Sequence, residues 1–230
     1  MTWLVTGWPQ AVQLALVHVA LSLPAILLSV LIALPLGVLA NRRPRLGGAL
    51  LSTAGLLYAI PALPLLIIVP ALFGIPLRSP MTMVVVLTVY GVALLVRTVT
   101  DAFGAVDHTV RQAAVAIGHS PLAVFWKIEV PLAVPVILSG VRVVVVSTVG
   151  LVTIGALVGI SNLGTLFTDG FQRGIAEEVL TGIVLTVVLA MLLDAVVVVA
   201  GRILTPWTRA NSPGRKSADT RPAGAEEVCP

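Results

Sequence analysis

Four stretches of this chain contain no Asp, Glu, Lys or Arg: residues 1–41, 46–77, 79–96 and 143–168. No other feature limits the possible folds as strongly. A helix rising about 1.5 Å per residue needs about 20 apolar residues to cross a hydrocarbon layer of roughly 30 Å. In lipid, the backbone polar groups must be satisfied within the protein, and a helix satisfies its own. Long uncharged runs therefore point to membrane-spanning helices. Composition agrees, with 58% of residues hydrophobic and 10% charged, against about 45–50% and about 25% in soluble domains.

The expected fold is an all-α integral membrane protein with five transmembrane helices, at 17–40, 49–73, 81–98, 134–159 and 179–204. Residues 1–16 read as an external N-terminal segment, with Trp3 and Trp8 as interfacial anchors. Residues 17–205 read as the transmembrane domain. Residues 206–230 read as a disordered cytoplasmic tail, because they are mainly Ser, Pro, Gly, Ala and charged residues. Of the fourteen Lys and Arg, eleven fall on one side of these spans and only Arg78 and Arg173 on the other. Positive charge favours the cytoplasm, which places the N-terminus outside and the C-terminus inside a multi-pass plasma (inner) membrane protein. No Lys or Arg precedes the first apolar run, so a cleaved signal peptide is not expected.

Several function classes drop out. The net charge is +4, but the basic residues cluster between apolar runs and aromatics are only 5%, a poor basis for nucleic-acid binding. The single cysteine, Cys229, permits no disulfide framework within one chain. His18, His108 and His119 have neither metal-ligand spacing nor a nucleophile partner, so neither a metal site nor catalysis is expected. Prolines are frequent inside the expected spans: Pro24 and Pro35 in the first, and Pro61, Pro64 and Pro70 in the second. Each removes a backbone donor. Two readings follow: kinked helices in a bundle, or a second helix broken where it lines a pathway. No internal repeat is apparent, against an inverted-repeat carrier within one chain.

The long loop at 101–131 carries the most information. Asp107 suits the N-cap of a short helix on which Val110, Ala113, Ala114 and Ile117 share an apolar face. Gly118 suits its left-handed end. Ser120 and Pro121 then open a second short helix carrying Leu122, Phe125, Trp126 and Ile128, which Pro131 is expected to end before the fourth span. Two amphipathic helices meeting at a glycine corner, with small residues at Ala113, Ala114 and Ala116, suit docking into a groove.

In register these residues are Gln112-Ala113-Ala114, Gly118 after three more, Ile128 after nine more, and Val130-Pro131 after one more. This resembles the signature of permease subunits of bacterial ATP-binding-cassette importers: Glu-Ala-Ala, three residues, Gly, nine residues, Ile, one residue, Leu-Pro. Gln112 and Val130 depart from it. Elsewhere the chain is similar to the glycine betaine/carnitine/choline branch of these permeases. The similarity lies in Leu34-Pro35-Leu36-Gly37, Ile60-Pro61-Ala62-Leu63, Arg142, Leu157-Val158-Gly159 and Asn162-Leu163-Gly164, with Asn162 in place of a usual glycine.

The resemblance implies a type I importer permease fold and an ATPase-coupling role for Gln112, Ala113, Ala114, Gly118, Ile128 and Pro131. It implies cytoplasmic ATPase subunits, a second permease copy or paralogue, an extracellular substrate-binding protein and surrounding membrane lipid as partners. No cofactor is then held by this chain, because ATP and Mg belong to the ATPase. In keeping with this, neither Lys127 nor Lys216 completes a phosphate-binding loop. The substrate implied is glycine betaine or a related quaternary ammonium compound; the alternatives are a methionine or other amino-acid permease, a stand-alone channel or carrier, and a scaffold without substrate.

Asp194 is the one acid inside an expected span, at a depth similar to that of Arg142. The two read as an intramembrane ion pair or subunit contact, or Asp194 meets substrate. Tyr58, Phe73 and Tyr90 are the few aromatics in or near the spans able to face a quaternary ammonium group, and packing is the simpler role for each. Asp169, Glu177 and Glu178 read as solvated carboxylates of an outer loop. No substrate-binding residue is identifiable.

Overall fold

The computed structural model describes residues 2–209, with side chains for 7–207. Among them the chain is helical throughout, ordered as α1 (Thr2–Arg42), α2 (Pro44–Ala59), α3 (Ala62–Phe73), α4 (Pro80–Gly104), α5 (His108–Ala116), α6 (Pro121–Val124), α7 (Val130–Val152), α8 (Gly164–Arg173) and α9 (Ala176–Leu204). A π-helical turn, Phe125–Glu129, joins α6 to α7, and a 3₁₀ turn, Thr153–Val158, extends α7. Four segments are long and apolar enough to cross a membrane: 7–42, 80–104, 121–158 and 176–204. The second expected span is instead the pair α2 and α3, bent by 112° at its break.

Two boundaries differ from expectation. Residues 2–16 are not a separate segment but the first turns of α1, which runs through Pro9, Pro24 and Pro35 without stopping. Trp8 is half exposed; the side chain of Trp3 and residues 210–230 of the expected tail lie outside the described residues. The start of that tail, Pro206–Arg209, forms a 3₁₀ turn.

The break between α2 and α3 follows from donor arithmetic. A helix would require the Ile60 carbonyl to accept from residue 64, which is a proline without an N–H. The carbonyl is met instead by the Tyr90 hydroxyl of α4, while Ile60 N–H turns back onto the Leu57 carbonyl. Neighbouring helices thus satisfy the group that the proline frees, as spanning segments require.

Helix α4 is the centre of the bundle. On one half, Met83, Val86 and Leu87 pack with Leu21 and Ala25 of α1 and Leu65, Leu66 and Val69 of α3. On the other, Leu95, Val96, Val99 and Phe103 pack with Ala33, Ala54, Ala133 and Ile137. Small residues let α1 and α4 approach closely, as expected where dispersion rather than hydrophobic burial joins helices in lipid. A Cβ on Gly37 would stand 2.5 Å from the Val99 side chain, and one on Gly91 would collide with Ser29. Hydrogen bonds fasten the same seam: Ser29 Oγ donates to the Thr88 carbonyl at 3.3 Å and Asn41 Nδ2 to the Thr100 carbonyl at 3.2 Å. Gly37→Leu is expected to cost about 1–3 kcal/mol by overpacking and to lower the melting temperature of the purified chain. Gly48, where a Cβ meets nothing within 4 Å, should accept the same change; equal melting of the two variants would contradict this seam.

Helix α9 lies at the outside of the bundle, with only Glu178, Gly182 and Gly201 buried along its length.

Candidate functional site

The segment between α4 and α7 forms a compact projection at one end of the bundle. Asp107 starts α5 by accepting the Thr109 N–H at 2.8 Å. That bond, followed by a side-chain bond to Thr109, holds the carboxyl below the usual carboxylate range. The cap is therefore complete at neutral pH and is lost only as pH falls through that lowered value. At the other end, Gly118 has φ +89°, a conformation that L side chains rarely adopt. Its N–H bonds the Val115 carbonyl, and the His119 N–H bonds that of Ala114, at 2.9 and 3.1 Å. These close α5 and turn the chain into Ser120, whose Oγ caps α6 by accepting the Ala123 N–H at 3.3 Å.

Past this corner the structure departs from the expected one. Pro131 does not end a helix: α6, the π turn and α7 form one continuous rod from Pro121 to Val158. Pro131 occupies the first turn of α7. Just before it, Val130 N–H bonds the Phe125 carbonyl five residues back, so one extra residue absorbs the mismatch that a missing donor would otherwise create.

The expected apolar face is present, but Ala114 is not part of its outer surface. Ala114 is buried against the bundle. Gln112, Ala113 and Gly118 are exposed, and Ile128 and Pro131 half-buried. Around them Val110, Val115, Ile117, Leu122 and Trp126 are exposed. This projection exposes an isoleucine, a leucine and a tryptophan together.

Sequence reasoning missed what secures this projection. Arg111 of α5 donates from Nη2 to the Phe103 carbonyl at the end of α4, 2.7 Å away. Its Nε lies 2.9 Å from Glu129 Oε1 at the root of α7. Arg42, the last residue of α1, reaches the other Glu129 oxygen at 3.9 Å and lies over the Phe125 ring, 4.6 Å from its centre. Phe125 in turn stacks on Phe103 at 5.7 Å. One guanidinium thus ties α5 to both long helices flanking it. Partners 18 residues apart show no local periodicity, and Pro131 reads as a break that would separate their helices.

Arg142 and Asp194 are brought together across α7 and α9 as a bidentate pair, with two N–O distances of 2.8 Å. Tyr58 and Tyr90 meet edge to face at 6.0 Å, and Tyr90 is buried under the α2–α3 break, whereas Phe73 is exposed at the far end of α3. The three do not form a cage. Reversing one charge of the pair, by Arg142→Asp or Asp194→Arg, is expected to lower the yield and melting temperature of the membrane-inserted chain. The double reversal should restore both, and its failure to do so would count against a structural pair.

At the opposite end, Asn162 is fully buried. Its side chain donates to the Ile160 carbonyl at 2.8 Å and accepts the Gly164 N–H at 2.7 Å, fixing the start of α8. Gly164 has no room for a Cβ against the Thr153 carbonyl. The outer carboxylates are not all solvated: Glu178 is buried in the first turn of α9, and Asp169 pairs with Arg173 at 2.9 Å. A cavity of about 660 Å³ opens beside Arg78, Ser161 and the α1 residues Val17 to Pro24. Among the described residues no three His, Cys, Asp or Glu side chains are grouped to hold a metal.

Comparison with known proteins finds matches along most of the chain. The family described as "binding-protein-dependent transport system inner membrane component" matches residues 25–210. The chain is 30% identical over 189 residues to the choline transport system permease protein OpuBB of Bacillus subtilis, covering 82% of this chain and 86% of that one. It is 27% identical over 206 residues to the glycine betaine/carnitine/choline transport system permease protein OpuCB of the same organism, covering 90% and 94%. Its fold is similar to a chain of the inward-facing MetNI methionine ABC transporter, with a TM-score of 0.75 and 23% identity, covering 84% of this chain and 95% of that one.

Proposed function

We infer the function from one premise: the chain belongs to the family of binding-protein-dependent transport system inner membrane components. It is a multi-pass membrane protein and a transport permease subunit rather than an ATPase. We propose that it forms the translocation path of an ATP-driven importer of glycine betaine or a related quaternary ammonium osmoprotectant such as choline, carnitine or proline betaine. An external binding protein delivers the substrate, cytoplasmic ATPase subunits bind ATP and Mg, and a second permease completes the path. In this reading the N-terminus lies outside, the C-terminus lies in the cytoplasm, and α2 and α3 together form one of five spans. The substrate class is supported by the named transport roles of OpuBB and OpuCB.

The observation that carries the coupling role is the exposed apolar projection from Val110 to Trp126, held to α4 and α7 through Arg111. Closure of the ATPases on ATP moves α5. Arg111 passes the displacement to the end of α4 and to Glu129, and the continuous rod from Pro121 to Val158 carries it along α7. The two spans then tilt together, and the path alternates between outward- and inward-facing states according to which state the nucleotide favours.

The substrate assignment is tested by uptake of labelled glycine betaine in a strain lacking its other osmoprotectant carriers. Choline and carnitine should compete, methionine should not, and uptake should require ATP and the binding protein. Competition by methionine would reassign the substrate. ATP-independent uptake by the purified chain alone would replace the importer with a channel or carrier.

A further inference from the structure

The break between α2 and α3 frees more than the Ile60 carbonyl. The Tyr58 and Ala59 carbonyls at the end of α2 receive no hydrogen bond among the described residues, because the Ile60 N–H turns back to Leu57 and Pro61 has none to give. At the start of α3 the Ala62 and Leu63 N–H groups find no acceptor among them either, and no side chain caps the helix. Two free acceptors and two free donors thus fall within one six-residue stretch.

Their depth makes this consequential. Tyr90, whose hydroxyl meets the Ile60 carbonyl, stands ten residues from Pro80 and fourteen from Gly104 in α4, about 15 and 21 Å along the axis. The break therefore lies near the middle of a spanning helix, where hydrocarbon supplies no hydrogen-bond partners. Ala59 and Pro61 are exposed, and Tyr58 is 50% exposed. Free backbone groups at this depth are tolerated where they line a polar path.

The electrostatics select an occupant. No Asp, Glu, Lys or Arg lies between residues 46 and 77, so the corner offers dipoles and no formal charge. The end of α2 is the negative end of its helix dipole, with no basic residue in the last turn. The start of α3 is a positive end, with no acid in the first turn. The 112° bend opens both ends onto the outside of the same corner. A small zwitterion matches that pattern, and the Tyr58 ring, held edge to face by Tyr90, suits a quaternary ammonium head.

We propose that the α2–α3 break contacts the substrate within the path. The ammonium head lies against the Tyr58 ring and the Tyr58 and Ala59 carbonyls, and the carboxylate lies at the Ala62 and Leu63 N–H groups. The assignment rests on the osmoprotectant reading above and names the groups that would carry it out. Choline, with an ammonium head and no carboxylate, engages the α2 half alone.

The test uses the whole transporter in lipid nanodiscs, so that both faces are open. The only cysteine is removed by Cys229→Ser, and Ala59→Cys is the probe. The reagent is trimethylammonium-ethyl methanethiosulfonate, which carries the proposed head group and does not enter lipid. The introduced thiol is expected to react, and glycine betaine to slow the reaction by about fivefold or more. Sucrose of equal osmolality should not slow it, and choline should slow it less than glycine betaine does. In uptake, Tyr58→Phe should match wild type, while Tyr58→Leu should fall by about fivefold at unchanged melting temperature. A loss of uptake that merely follows a loss of melting temperature would make Tyr58 structural. An unreactive thiol, or a rate that glycine betaine leaves unchanged, would overturn the site, and equal slowing by choline would remove the α3 end from it. If wild-type uptake of glycine betaine is intact in that event, the site assignment fails alone. If the wild-type transporter takes up no quaternary ammonium compound, the osmoprotectant reading fails with it.

Discussion

Gly118→Asp is expected to abolish uptake while leaving the chain inserted, folded and present in normal amounts. The physical case separates folding from docking. A Cβ at position 118 would meet nothing within 4 Å, so no packing is disturbed. The cost within the chain is the left-handed backbone at φ +89°, roughly 1–2 kcal/mol for an L residue and less for Asp, which tolerates this region better than most. A membrane protein with this much buried helix contact absorbs that loss. The same open space that spares the fold puts the new carboxylate on the outer surface, between Ile117 and Leu122, both largely exposed. There it would have to be desolvated beneath any protein seated on that face, a cost of several kcal/mol for an unpaired charge. Uptake should fall by at least a hundredfold and the co-purifying ATPase should be lost. Gly118→Ala, which keeps the strain but adds no charge, should retain much of both. Normal uptake by Gly118→Asp would remove the coupling role from this corner.

Glu129→Gln is expected to separate ATP hydrolysis from transport rather than to prevent assembly. Glu129 does not face the docking surface; its side chain is 15% exposed and sits between Arg111 and Arg42. Gln is nearly isosteric, so the projection keeps its shape and its exposed residues. What it loses is the charge that fixes Arg111 between α4 and α7. The contact is an ion pair with no hydrogen bond from Arg111 Nε, and neutralising the carboxylate removes it. ATPase subunits should still co-purify and hydrolyse ATP, while substrate moved per ATP drops by about tenfold. Arg111→Gln should behave alike, with the added loss of the bond to the Phe103 carbonyl. If both variants transport with unchanged stoichiometry, motion reaches α7 through the backbone alone and the staple is only structural.

Features set by local chemistry are legible in the sequence. Uncharged runs locate α1 and most of α4, Asp107 and Ser120 mark helix starts, and Gly118 marks the corner, because caps and left-handed residues are dictated within a few positions. The Arg142–Asp194 pair is legible too, since counting residues inward from two helix ends gives depth. Features that depend on which helices are neighbours are not. Pro131 reads as a stop because a proline in a helix interior is one, but in a first turn preceded by a π turn it costs little. Glu178 reads as solvated among other outer charges, yet α8 folds back over it. The Tyr90 hydroxyl that serves the orphan Ile60 carbonyl, and the Arg111–Glu129 link, join residues whose proximity only the packed bundle creates. Asn162 gives no sign in the sequence that its side chain fixes the start of α8.

The central claim is that the exposed projection between α4 and α7 docks an ATPase. The most direct measurement is gentle-detergent purification of the tagged chain from its own host, with every co-purifying polypeptide identified by mass. A stoichiometric ATPase bearing a phosphate-binding loop is expected with the wild-type chain and is expected to be absent with Gly118→Asp. A chain recovered alone, and still alone after crosslinking in the intact membrane, would contradict it.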